Sequence, residues 1–118
     1  MKYKFLLSEA STFGWDGLSA KAYSSKEDFT HASAARFMVN GRHGKVKTTV
    51  SDRVYLVLNG RGRFLIHDED IGVKKDDVVI VPKNTPYDYE GEMELFLVHT
   101  PAFDRSAEVR LADTQRND

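Results

Sequence analysis

The chain turns too often to be anything but a small β protein. Strand-like stretches recur about every 8–12 residues with turn residues between them, the pattern of a sandwich or barrel. KVKTTV at 45–50 alternates, with Val46, Thr48 and Val50 on one face and Lys47 and Thr49 on the other. VYLVL at 54–58 runs into NGRG, and FLIH at 64–67 follows. Asn-Gly between two apolar runs predicts a hairpin there. VVIVP at 78–82 reads as a buried strand that stops at Pro82, and MELFLVHTP at 93–101 as the last clear strand. Weaker strand signals fall at 3–7, 19–23, 32–39, 71–73 and 87–89, whereas STFGWDG at 11–17 is turn-rich. The polar tail, DRSAEVRLADTQRND, is expected to be partly disordered or a short helix.

The bulk properties narrow the function more than the fold. At 118 residues the chain has the size of one domain, and its 41% hydrophobic and 30% charged content is ordinary for a globular protein. A formal net charge of -1 argues against nucleic acid or an anionic membrane as the main partner. With no cysteine, disulfides, thiolate metal sites and a cysteine nucleophile are excluded. The N-terminal apolar run is only Phe5, Leu6 and Leu7, too short for a secretory signal, and no stretch approaches the ~20 apolar residues of a membrane span. A cytoplasmic location is expected.

The turns and spacings carry a resemblance. Gly41 is followed by five residues, Lys47-x-Thr49, three residues, Arg53, six residues and Gly60. After fifteen intervening residues, Asp76 is followed by five residues, Pro82-x-Asn84, two residues, Tyr87, three residues and Gly91. This spacing resembles the two motifs of the cupin family, over roughly residues 32–101. The resemblance implies an all-β, single-domain, cupin-like jelly-roll barrel. Residues 1–31 would then pack on the barrel or on a dimer partner, and 102–118 would form the tail. It also implies a homodimer, with Phe5 to Leu7 suited to the contact. Asn84 stands where the family has glycine, which a left-handed turn position tolerates.

The family's three metal-binding imidazoles and one carboxylate correspond here to Lys47, Thr49, Arg53 and Tyr87. Ammonium and guanidinium repel a divalent metal, so no metal or other cofactor is expected. If the family's register holds, these four side chains point into the barrel, and alternation adds Tyr55 and Tyr89. Arg53 could clamp a carboxylate or phosphate, Lys47 could add charge, and the tyrosine hydroxyls could orient sugar-like hydroxyls. The pocket would take a small anionic or polyhydroxylated molecule. Against this stands a structural reading, in which Lys47 and Arg53 pair with acids such as Asp52, Asp88 or Glu90 and the tyrosines simply pack.

The four histidines form no H-x-H or H-x-x-x-H pair. His43, in the NGRHGK turn, is expected to be exposed, and His67 to be solvated. His31 precedes the first motif strand. His99 shares a face with Leu95 and Leu97, which reads first as a satisfied core histidine and second as an acid/base helped by Tyr87. Three functions compete: a metal-free binding module acting as sensor or accessory protein; a metal-independent isomerase, epimerase or lyase for a sugar or carboxylate, with Tyr87 and His99 as catalytic candidates; and a structural or interaction protein with a filled barrel.

Overall fold

A computed structural model describes residues 1–111. Nine antiparallel strands form one sheet that curls into a barrel. They are β1 (Ser11–Trp15), β2 (Leu18–Ala22), β3 (Ser33–Arg42), β4 (Val46–Thr48), β5 (Asp52–Ile66), β6 (Glu69–Lys74), β7 (Val78–Val81), β8 (Tyr87–Thr100) and β9 (Glu108–Arg110). Among the described residues no helix is long and apolar enough to cross a membrane.

β5 and β8 are the frame. They pair along their whole lengths, from Asp52↔Thr100 to Ile66↔Tyr87. β3 flanks β8, with β2 and then β1 beyond it, while β7 and β6 share the far edge of β5. At the crease of the sheet Gly41, Gly91 and Gly62 stand in one register row. A Cβ on Gly91 would overlap the Gly62 backbone, so the strands can approach and bend only because the row lacks side chains. Beyond the crease the sheet closes on itself, and residues 53–55 of β5 face 87–89 of β8 across the barrel.

Burial alternates along residues 53–57 of β5 and 93–99 of β8. Arg53, Tyr55 and Val57 of β5 and Met93, Leu95, Leu97 and His99 of β8 face the lumen. Phe37, Val39 and Val81 complete this apolar wall. The register of β5 slips between Val57 and Asn59, a bulge that makes Leu58 an extra residue. Past it the inward parity is even, and Phe64 and Ile66 join the core.

The hairpin expected at Asn59-Gly60 does not form. Gly60, at φ 80, follows the bulge and pairs with Met93, and the strand continues to Ile66 because β8 keeps pairing with it. The turn comes at His67, at φ 53. Tyr87–Tyr89 and the 93–101 segment are likewise one strand rather than two. STFGW is a strand rather than a turn, and residues 3–7 are not a strand. In the tail, residues 105–107 make a 3-10 turn and β9 pairs with β4; residues 112–118 of the expected tail lie outside the described residues. The turn positions of the two motifs hold: Asp76 and Asn84, which stand where the family has glycine, sit at φ 78 and φ 62.

Candidate active site

The lumen end of β8 carries Tyr87 and Tyr89, both fully buried. Tyr55 reaches them from the opposite wall, its ring 6.1 Å from that of Tyr87 and 5.6 Å from that of Tyr89. Phe64 closes the floor, 5.1 Å from Tyr55 and 5.0 Å from Tyr89. The Tyr55 and Tyr87 hydroxyls are hydrogen-bonded. Tyr89 differs, since its hydroxyl is buried with no partner among the described residues. An unpaired buried hydroxyl costs roughly 1–3 kcal/mol and calls for an occupant that is not protein. Burial raises all three phenols, Tyr55 and Tyr89 well above the ordinary value and Tyr87 less, because the Arg53 guanidinium favours its ionised form.

Arg53 is the buried cation of the lumen, and its donors fan out to three partners. Nε donates to His99 Nε2 at 3.0 Å, one terminal nitrogen to the Tyr87 hydroxyl at 2.5 Å, and the other to the Glu108 carboxylate. Arg53 thus pairs with an acid from β9, not with Asp52, Asp88 or Glu90. Asp88, itself buried, instead accepts from Arg42 Nε at 2.5 Å and Gly44 N at 2.7 Å.

That carboxylate fixes the turn that carries His43. The expectation of an exposed His43 is overturned: the residue is 6% exposed. Its ring lies 4.7 Å from that of Tyr89, is stacked 6.3 Å from Tyr87, and meets Trp15 edge-on at 5.3 Å. The His43 amide donates to Tyr89 O at 2.9 Å, and Trp15 Nε1 donates to His43 O at 3.2 Å. His43 Nδ1 lies 2.8 Å from Gly44 O; a carbonyl can only accept, so Nδ1 carries the proton and Nε2 holds the lone pair. Nε2 has no partner among the described residues. Burial lowers the His43 pKa to about 4, so the ring is neutral near pH 7. A neutral imidazole, anchored through one nitrogen and open at the other, has the arrangement of a general base.

His99 is buried to the same extent, but its Nε2 is occupied by Arg53. Burial and that guanidinium lower its pKa to about 3. His31 and His67 are exposed. Lys47 and Thr49 do not line the lumen. Val46 and Thr48 are the buried residues of β4, and Lys47 lies half-buried on the other face. The exposed Thr49 donates its hydroxyl to Ala107 O at 3.3 Å. An unpaired ammonium in the lumen would cost far more than an apolar Val46, and this sets the parity. The lumen thus gathers Arg53, Tyr55, Tyr87 and Tyr89 of the expected set, and adds His43 and Glu108.

The donor set does not fit a divalent metal. Of the four family ligand positions, two point away and the third is a guanidinium that donates to the fourth. Among the described residues no three His, Asp or Glu side chains converge. Two concavities lie outside the lumen: an open groove of about 680 Å³ over the glycine crease, and one of about 200 Å³ beside Arg36 and Met38.

No protein-family model and no curated protein matches the chain. Solved structures do. Pac13, described as a nucleoside dehydratase, superposes with a TM-score of 0.86 at 29% identity, over 98% of this chain and 97% of that one. A Streptomyces Pac13 variant with a histidine changed to glutamine, in complex with uridine, gives 0.88 at 27% identity over 95% and 92%. Two further uridine complexes carry a tyrosine-to-phenylalanine change. KdgF from Halomonas sp. shares the fold, with a TM-score of 0.77 at 14% identity over 90% and 99%. So does oxalate decarboxylase of Bacillus subtilis, at 0.80 and 16% identity over 97% of this chain and 33% of that one. The chain shares a cupin-type barrel fold with these neighbours.

Proposed function

We propose that this cupin is a metal-independent lyase that removes water from a nucleoside-type substrate, with His43 as the base. The observation that carries the reading is the pairing of two unspent groups, the free Nε2 of His43 and the unpartnered hydroxyl of Tyr89, on rings 4.7 Å apart. Pac13 supports the substrate class: its uridine complexes are of variants altered at histidine and tyrosine, the residue types gathered here. In the step proposed, His43 Nε2 takes a proton from a sugar carbon. The C–O bond of the neighbouring hydroxyl breaks, a C=C bond forms, and the hydroxyl leaves as water. A base this weak removes only an acidified proton, so the sugar carries a carbonyl beside that C–H. The Tyr89 hydroxyl binds the ligand.

Titration of the purified chain with uridine, followed by incubation with nucleosides oxidised to an aldehyde or ketone, tests this. The expected results are saturable binding and a product lighter by one water, with His43→Gln binding uridine but forming no product. Absence of both binding and product overturns the proposal. It would leave the filled-barrel reading, which the complete pairing of Arg53 favours.

A further inference from the structure

Elimination needs an acid as well as a base, because hydroxide is a poor leaving group until it is protonated. The lumen has one obvious stock of protons, the hydroxyl pair of Tyr55 and Tyr87. Arginine has no acceptor, so in the 2.5 Å contact with Arg53 the Tyr87 oxygen accepts. The two hydroxyls carry two protons and share a single mutual bond, which uses one of them. The other has no acceptor among the described residues. The pair is therefore primed as a donor, and what primes it is the direction of the Arg53 fork.

Glu108 holds that fork in place. It is the carboxylate that pairs with Arg53, and it comes from β9, whose three residues pair with β4 at the barrel rim. Arg110, two residues on, lies 4.8 Å over the Trp15 ring, which in turn packs on His43. The C-terminal strand thus touches both halves of the site. We infer that Glu108 and Arg53 are positioning residues that turn the Tyr87 oxygen into an acceptor, leaving the Tyr55–Tyr87 pair one proton to give to the departing hydroxyl.

The inference rests on the dehydratase reading. The step balances: His43 gains the carbon-bound proton, the tyrosine pair loses one to the leaving hydroxide, and water and an alkene result. The phenolate left behind lies against the Arg53 guanidinium. One proton transfer from His43 to the phenolate, directly or through water, restores both groups. The groups that bear on Tyr87 are Arg53 and Tyr55 from β5, Tyr89 from β8, His43 after β3, and Glu108 from β9, with His99 behind Arg53 as the acceptor of its Nε.

The test is tyrosine ionisation in the full chain, followed by ultraviolet difference titration, beside the pH profile of dehydration. Glu108→Gln removes the charge that opposes the phenolate, so one buried tyrosine should ionise lower by on the order of one pH unit, and the alkaline limb of the rate should move with it. Arg53→Met should move both upward. Tyr87→Phe should delete that titration step and so assign it. Glu108→Asp should restore part of the wild-type profile. If Arg53→Met does not fold, Glu108→Gln at the rim still decides. Dehydration with an unmoved alkaline limb and an unmoved tyrosine step overturns this inference alone. No dehydration by the wild-type chain overturns the reading beneath it and the acid role together.

Discussion

His43 and His99 are equally buried, each 6% exposed, and burial makes both poor bases. What separates them is one hydrogen bond. Arg53 donates to the lone pair of His99, so that ring serves the core as an acceptor. At His43 the backbone carbonyl of Gly44 accepts the hydrogen bond of the Nδ1–H, and the lone pair of the other nitrogen stays unspent. Burial and a shifted pKa mark both as special; only the hydrogen-bond inventory tells structure from chemistry.

The sharpest way to break this contrast is to exchange each ring. Glutamine at position 43 should lower the dehydration rate by about 10²–10⁴-fold, the usual worth of a positioned base, while uridine binding persists. An equal loss of rate in His99→Gln with His43→Gln active would reverse the assignment.

Next in size is stability. His99→Leu leaves the Arg53 Nε buried without an acceptor and should cost about 1–3 kcal/mol, read as a lower denaturant midpoint. The same change at His43 should cost less, because it strands no charged donor. A larger loss at His43 would show that both rings serve the core alike.

Acid sharpens the comparison further. Unfolded histidine ionises near 6.5, whereas the folded rings do so at about 4 for His43 and about 3 for His99. The unfolded chain therefore binds more protons below 6.5. Stability is full above that pH and falls as pH drops toward 4, then 3, by up to ~1.4 kcal/mol per unit for each ring. Denaturation midpoints across this window should show a shallower slope in His99→Leu. An unchanged slope would mean that His99 ionises normally. The smallest effect is expected at Lys47→Ala, which should move stability by no more than about 0.5 kcal/mol and leave uridine binding unchanged. Lost binding there would put Lys47 back among the ligand contacts.

Much of the frame was legible in the chain. VVIVP marked β7, although not as the buried strand expected, since Val78 and Ile80 are exposed and only Val79 and Val81 face the core; the motif spacing marked the turns, and alternation placed Tyr55 and Tyr89 in the lumen. Alternation in KVKTTV also set Val46 and Thr48 on one face; the family register, laid over it, put Lys47 and Thr49 inside, and the local pattern had the better physics. His43 was read as exposed because its cover comes from far away: Trp15 lies 28 positions upstream, and Asp88 holds Gly44 across 44. Glu108 was hidden in a polar tail whose strand exists only by pairing with β4. Asn-Gly misled because a glycine at positive φ fits a bent, continuous strand beside a bulge as readily as a turn.

The bulge at Leu58 has a consequence for how this barrel could change. It acts as a frameshift in side-chain reading: odd residues face inward before it and even ones after it. Deleting Leu58 would remove that extra residue and leave a regular strand, with Asn59 outward, Gly60 inward and Phe64 still in the core. Loss of the bulge residue therefore keeps the downstream facing, whereas deleting Arg61 with the bulge kept would turn Phe64 outward and Arg63 inward, and every residue beyond with them.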